Sequence, residues 1–336
     1  MTNTLTPYSE LSPDLILSAI DQLGVRTSGH LLALNSYENR VYQIGLEDET
    51  PWGKFIVAKF YRPHRWSEAQ ILEEHQFCQE LAEYEAPVVS PLSFSGNTLH
   101  SEHGFRFAIF PRRGGRYPEL DQRETREWIG RFMGRIHAIG QKQPFSARPQ
   151  IDIDSFGHQS VEFVLQNQFI PADLMSAYQT VSAQALDSIR ACFERAGQVA
   201  TVRLHGDCHA SNILWTDAGP HFVDFDDARN GPAIQDLWML LSGERHEQQA
   251  QLNDILYGYE DFIDFNPSEL HLLEALRTLR LLHYSAWIAR RWNDPAFPAA
   301  FPWFNSPIYW QNRILELREQ IALMSEPPLR HGMGNC

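Results

Sequence analysis

The feature that most constrains this chain is a change in its hydrophobic pattern from strand-like to helix-like. Early in the chain, Ile56, Ala58 and Phe60 would lie on one face of a β-strand and Lys59 on the other. Later, apolar residues recur at helical spacing, as in residues 128–136. Such a chain is expected to fold as an α+β protein, with a small antiparallel strand-rich lobe followed by a larger, mainly α-helical one.

Turn-forming residues mark the junction between the two predicted lobes. Residues 111–116 are rich in glycine, proline and arginine and follow the last strand predicted for the first lobe. We therefore predict an N-terminal lobe at residues 1–111 and a C-terminal lobe at residues 112–336. The pattern predicts strands at 40–46, 54–61 and 105–110, a hairpin loop at 47–53, a strand–loop–strand stretch at 202–224, and helices near 67–84, 128–140, 172–196, 234–242, 247–262 and 268–292.

Charge and composition exclude several classes of function. Among the 336 residues, 28 Lys and Arg stand against 42 Asp and Glu, a formal net charge of −14. A nucleic-acid-binding protein needs a basic surface, so that function is not expected. Without a run of about 18 apolar residues or an N-terminal secretory signal, we expect no membrane association. The four cysteines form no CxxC pair, which favours a reducing cytoplasm over a disulfide framework.

The residues that suggest chemistry are concentrated in one stretch. Asp207 and Asn212 lie on a predicted loop between apolar strands, and Asp224 ends the next strand. Phosphoryl transfer needs a carboxylate to deprotonate the acceptor hydroxyl, oxygen ligands for Mg²⁺ and a cation on the nucleotide phosphates. Asp207 suits the first task, and Asn212 and Asp224 suit the second. Lys59, on the upstream strand, suits the third.

A buried lysine needs a partner, and the following helix offers one. Glu74 falls in line with apolar residues of that helix, where a charge should be paired. Glu73 lines up with Phe77 on what reads as a more polar face. We therefore predict a Lys59–Glu74 ion pair, with Glu73 as the alternative partner.

Taken together, these motifs resemble the aminoglycoside-phosphotransferase-like branch of the protein-kinase fold, and more closely the bacterial stress response kinase A family. The segments that carry the resemblance are LNSYENRVYQ (34–43), FYRPHRW (60–66), ILEEHQF (71–77), LHGDCHASNILW (204–215), FVDFDDARNGPAIQDLWMLL (222–241), RRWNDPAFP (290–298) and EPPL (326–329). The resemblance implies a bilobal, monomeric, cytoplasmic Ser/Thr protein kinase that uses ATP and Mg²⁺. It also implies a protein substrate, with the kinase itself as one candidate, and a role in protection from stress-induced cell death.

The resemblance also implies roles for individual residues. Asp207 would be the catalytic base, aided by Asp224, which with Asn212 would bind Mg²⁺. Ser36, Lys59 and Glu74 would form the ATP-binding set. Asp236 and His205 would support the catalytic loop.

The chain departs from eukaryotic protein kinases at three points. Residues 35–39 replace the glycine-rich loop, so we expect side chains to help hold the phosphates. The loop motif reads HGD rather than HRD, and DFD replaces DFG at Asp224.

Other functions remain open from the residues alone. The same chemistry could act on a small cationic alcohol such as an aminoglycoside or choline. A phosphatase of the haloacid-dehalogenase type could use Asp224 as nucleophile and Asp226 as acid. His205 and His209 could bind a metal, or the chain could bind nucleotide as a scaffold without catalysis.

Overall fold

The computed structural model describes residues 7–332, which divide into two compact units. The first unit combines the described residues up to Pro118 with Ser211–Asp226. The second combines Glu119–Ala210 with the described residues from Asp227 onwards. The sequence pattern did not predict that 211–226 would pack with the first unit. The assignment of nucleotide binding to residues 1–111 and of catalysis to 112–336 stays a prediction.

The structure confirms the α+β class, because strands dominate the start of the chain and helices the remainder. In chain order the elements are α1 (Pro13–Asp21), β1 (Thr27–Leu34), β2 (Arg40–Thr50), β3 (Gly53–Phe60), α2 (Glu68–Glu83), β4 (His100–Glu102), β5 (Phe105–Pro111), α3 (Arg123–Gly140), α4 (Gln159–Gln166), α5 (Ala172–Ala196), β6 (Val202–Leu204), β7 (Ile213–Thr216), β8 (Gly219–Phe222), β9 (Arg229–Gly231), α6 (Ile234–Trp238), α7 (Arg245–Tyr259), α8 (Leu273–Arg290), α9 (Ala296–Ala300) and α10 (Pro307–Ser325). Within residues 7–332, no helix is both long and apolar enough to cross a membrane.

An antiparallel five-stranded sheet in the order β1-β2-β3-β5-β4 forms the framework of the first unit. Lys59 lies on the central strand β3, paired with Val41 of β2 and Ala108 of β5. The hairpin between β2 and β3 is tighter than predicted, because the strands continue until Thr50 pairs with Gly53. The Thr50 hydroxyl donates to the carbonyl of Gly53 at 2.7 Å and closes the turn.

Helix α2 begins where the sequence predicted. The Ser67 side chain accepts from the Gln70 N–H, and the Gln70 side chain accepts from the Ser67 N–H, which forms a capping box. Ile71 packs against Ala108 of β5 and against Tyr61, the residue that follows β3. Because α2 packs on the sheet through this face, it brings Glu74 towards β3.

In the second unit, glycines allow two helices to approach closely. A β-carbon at Gly130 or Gly134 of α3 would lie 1.9 or 2.2 Å from a backbone oxygen of α7, and one at Gly258 of α7 would lie 2.0 Å from a backbone oxygen of α3. A larger side chain at any of these positions would force the helices apart. This contact fixes α3, whose His137 contacts Asp236 of α6, as described below.

Candidate active site

Lys59 is the centre of a cluster of charges in the first unit. Its side chain is 7% exposed, and its Nζ lies 2.8 Å from Asp224 Oδ1, 3.2 Å from Asp226 Oδ1 and 3.9 Å from Glu74 Oε1. The structure therefore contains the predicted Lys59–Glu74 pair. It also brings two closer carboxylates to the same ammonium.

The charge state of Lys59 is decided by competition between burial and these carboxylates. Burial alone would lower the pKa of Lys59, but the charges of Asp224, Asp226 and Glu74 hold that pKa well above its ordinary value. A lysine whose pKa is raised by folding stabilises the fold fully below its unfolded pKa of about 10.4, and that contribution disappears only as pH rises through the folded pKa. Lys59 is thus a fixed cation at neutral pH.

Asn212 and Asp224 are neighbours because of the β7–β8 hairpin. Ile213 pairs with Phe222, and the Val223 N–H donates to the Asn212 carbonyl at 3.0 Å, one residue before Asp224. Asp224 has a φ of 62°, in the left-handed region that aspartate tolerates better than most residues. Its side chain remains half exposed even though one oxygen contacts Lys59.

These two residues fit a magnesium site. Among residues 7–332, no group of three or more His, Cys, Asp or Glu side chains could hold a metal by itself. Mg²⁺ does not need one, because it commonly takes one or two carboxylates together with phosphates and water. An accessible carboxylate beside an amide residue is the donor set that such binding requires.

The loop between β1 and β2 is anchored by side chains. Ser36 is partly exposed in this loop, whereas Glu38 and Asn39 are buried. The Asn39 side chain accepts from the Arg62 N–H at 3.0 Å, and Glu38 Oε1 lies 3.6 Å from Arg62 Nε. Side-chain contacts therefore anchor the end of the 35–39 loop, which contains no glycine. The contact of Ser36 with phosphate stays a prediction.

Sequence reasoning missed the ion pair between Arg65 and Asp226. Both side chains are buried, and Arg65 also lies 3.7 Å from Glu38 Oε2. Asp226 is the residue that replaces the glycine of DFG. Its carboxylate links Lys59 to the anchored loop through Arg65, so the aspartate is a structural member of the site. The motif FYRPHRW contained Arg65, but no local pattern indicated its distant partner.

In the second unit, Asp207 is held by two basic side chains. Arg280 Nη2 lies 2.6 Å from its Oδ1, and His209 Nε2 lies 3.5 Å from its Oδ2. Burial would raise the pKa of Asp207, but the His209 hydrogen bond and the Arg280 charge outweigh burial and lower it. Asp207 is therefore ionised at neutral pH, as a general base must be. Sequence reasoning missed Arg280, which lies far along the chain on α8.

Asp236 fixes the backbone of the loop that carries Asp207. Its Oδ2 accepts from the His205 N–H and its Oδ1 from the Gly206 N–H, both at 2.8 Å. His137 Nε2 lies 3.1 Å from Asp236 Oδ2 and so ties this carboxylate to α3. His205 Nδ1 accepts from the Asp207 N–H at 3.3 Å. The structure thus brings Asp236 and His205 to the loop they were predicted to support.

Steric contacts explain why the central residue of the HGD motif, Gly206, is a glycine. Gly206 has a φ of +84°, and a β-carbon there would lie 2.1 Å from the Asp227 carbonyl oxygen.

Replacing Gly206 with alanine combines backbone strain with this clash, so we expect a loss of about 2–4 kcal/mol in the free energy of unfolding. Chemical denaturation measures it. Gly96→Ala is the matched control, because Gly96 has nearly the same positive φ, +83°, but open space around it. An equal loss in both variants would contradict the clash.

The structure weakens two of the alternatives that the sequence left open, the phosphatase and the histidine metal site. The phosphatase interpretation requires Asp224 and Asp226 to follow a strand of a parallel α/β sheet, but Asp224 follows a two-stranded antiparallel hairpin. A metal site at His205 and His209 is likewise absent from the described residues. His205 is buried and braces the loop, and His209 contacts Asp207.

Sequence comparison places the chain among phosphotransferases. A family model described as the phosphotransferase enzyme family matches residues 30–273. Stress response kinase A of Salmonella choleraesuis (strain SC-B67) is 46% identical over 330 residues, covering 98% of each chain. A protein of Salmonella typhimurium (strain LT2) named serine/threonine protein kinase RdoA has the same identity and coverage. Stress response kinase A of Escherichia coli (strain K12) is 45% identical over 330 residues, again 98% of each chain.

Solved structures share the fold at lower identity. The amicoumacin kinase hAmiN, in complex with AMP-PNP, Ca²⁺ and Ami, has a TM-score of 0.71 at 17% identity, covering 94% of this chain and 95% of that one. A microcompartment-associated aminopropanol kinase has a TM-score of 0.68 at 17% identity, covering 92% and 96%. The predicted kinase-like, aminoglycoside-phosphotransferase-type fold is confirmed, as is the family resemblance drawn from the sequence motifs.

Proposed function

Because this chain belongs to the stress response kinase A family, within the phosphotransferase enzyme family, we propose that it is an ATP- and Mg²⁺-dependent serine/threonine protein kinase. The observation that carries the proposal is the near-complete coverage, at 46% identity, of a relative named serine/threonine protein kinase. The charged cluster around Lys59 and the held carboxylate of Asp207 supply the chemistry that such a reaction needs.

The first unit provides the nucleotide-binding residues. Lys59 binds the phosphates, Glu74 helps to keep the ammonium in place, and Ser36 contacts the phosphates from the loop between β1 and β2. Asn212 and Asp224 hold Mg²⁺, which when bound neutralises charge on the phosphates. The anchoring of this loop by Glu38 and Arg65 supports the proposal, because a fixed loop loses less entropy on binding.

The second unit provides the base. The oxygen of an acceptor Ser or Thr forms a bond to the γ-phosphorus while Asp207 accepts the hydroxyl proton. The bond from that phosphorus to the oxygen bridging the β-phosphate breaks, and ADP leaves. Asp236 and His205 act on this step only by positioning the backbone around Asp207.

The cellular setting is part of the same proposal. We propose that the protein is a monomeric cytoplasmic kinase of stress protection. Its acceptors are proteins, including other copies of itself, and neither nucleic acid nor membrane is a partner. Cys192 and Cys208 are buried free thiols, which suits a reducing compartment.

The acceptor class can be tested directly. The protein is incubated with γ-labelled ATP and Mg²⁺, with generic proteins in one reaction and with choline or an aminoglycoside in another. We expect label on protein Ser or Thr, dependent on Mg²⁺ and absent with Asp207→Ala. Label in the small cationic alcohol alone would contradict the proposal and favour a small-molecule phosphotransferase.

A further inference from the structure

Arg280 extends from helix α8 directly onto the proposed base. Its side chain is 37% exposed and that of Asp207 is 23% exposed, so the ion pair is accessible to a ligand. A guanidinium at this position presents donors to solvent while it contacts the carboxylate. The carboxylate beside the reacting hydroxyl is therefore already paired with a cation.

The helical face that carries Arg280 also carries a second arginine, Arg291, beyond two aromatic residues. Tyr284, Trp287 and Arg291 follow at spacings of four, three and four residues, and all are partly exposed. Tyr284 stacks on Trp287 with ring centroids 5.8 Å apart, and the Arg291 guanidinium lies 5.2 Å from the Trp287 ring centre. Both charged residues of this face are arginines.

An acidic neighbour of Asp207 is also paired with an arginine. Asp227, which acts electrostatically on Asp207, lies 3.1 Å from Arg229 Nη2. The charges around His283 act in the same direction: its pKa is lowered to about 3, chiefly by burial and also by the charges of Arg229, Arg290 and Arg291, with the charge of Asp227 opposing them. Carboxylates attract a cationic alcohol most strongly when no other cation compensates them, and both carboxylates here are paired with arginine.

We propose that Arg280 determines acceptor specificity by favouring a Ser or Thr flanked by acidic residues and disfavouring cationic acceptors. The inference rests on the proposed function, because it takes Asp207 as the base that removes the hydroxyl proton. An acidic side chain next to the acceptor pairs with Arg280 or Arg291. A lysine or a quaternary ammonium in the same place meets like charge, which opposes binding. The net charge of −14 would favour cations, so this selectivity is local.

The test compares two peptides that differ only in the charge of the residues around a single serine. For the wild type, we expect kcat/KM to favour the Asp/Glu-flanked peptide over the Lys/Arg-flanked one by roughly tenfold. Arg280→Glu should abolish or reverse this preference, and Arg280→Lys should retain most of it. Arg190→Glu is the matched control, because Arg190 is exposed on α5 and pairs with Asp187. It should keep the wild-type preference.

A second measurement does not depend on the stability of a variant. Raising the salt concentration should shrink the preference of the wild type, since screening weakens interactions between exposed charges. Equal use of both peptides by the wild type, or an unchanged preference in Arg280→Glu, would overturn the inference and leave the protein kinase proposal intact. Label in choline with none in either peptide or in generic proteins would instead overturn the protein kinase proposal.

Discussion

Replacing Asp207 by asparagine is expected to lower kcat for phosphoryl transfer by about 10²- to 10⁴-fold, the range that general-base catalysis contributes. Asparagine keeps the shape of the side chain but cannot accept the hydroxyl proton. The residues proposed to bind nucleotide, Lys59 and Asp224, belong to the other unit, so the Kd for ATP should change little. Initial-rate kinetics measure the first effect, and nucleotide titration measures the second.

The matched control for this experiment is Asp217→Asn. Asp217 is an exposed carboxylate in the turn of the β7–β8 hairpin, so its removal should leave kcat unchanged. Two results would contradict the assignment of the base. One is an Asp207→Asn enzyme with near-wild-type kcat, and the other is an equal loss in both variants.

Replacing Lys59 by methionine is expected to destabilise the protein by about 3–5 kcal/mol at neutral pH and to abolish activity. Methionine preserves the apolar stem but leaves the buried carboxylates of Glu74 and Asp226 without the ammonium that they share. Arg65 still pairs with Asp226, which favours the lower end of this range. Thermal and chemical denaturation of the two proteins give the difference.

The pH dependence of this stability difference shows whether Lys59→Met acts through the lost charge or through lost packing. Buried carboxylates that lose their cation have raised pKa values in the folded protein, so protonation on lowering the pH relieves the penalty. The stability difference between wild type and Lys59→Met should therefore shrink from pH 8 to about pH 5. Lys54→Met, on the exposed part of the same strand, should stay within about 0.5 kcal/mol of the wild type. A pH-independent difference would refute the electrostatic account.

Local periodicity was sufficient to predict several features that position the site. The alternation around Lys59 identified β3, and the spacing of Glu74 identified the residue that lies 3.9 Å from Lys59. The assignment of Phe77 to a more polar face of α2 was wrong. Phe77 is fully buried against Phe225, because the end of the β7–β8 hairpin covers a side of α2 that a single apolar stripe does not indicate.

Two kinds of feature escaped the sequence reasoning. Helices α1 and α10 were not predicted, although each has a serine cap followed by proline, Ser12-Pro13 and Ser306-Pro307, a signal that could have revealed them. The ion pairs of Arg65 with Asp226 and of Arg280 with Asp207 carried no such signal. They depend on tertiary packing between segments distant in sequence, and no local periodicity reports that.

The distribution of residues between the two units bears on how such enzymes diversify. Lys59, Asn212 and Asp224 belong to one unit, whereas Asp207 and Arg280 belong to the other. On the proposed assignment of roles, mutations in the second unit can redirect the chain to a new acceptor while the residues for the phosphate donor are inherited unchanged. Natural selection can change the acceptor without changing how the phosphate donor is bound. One ancestral architecture can in this way give rise to many biological roles.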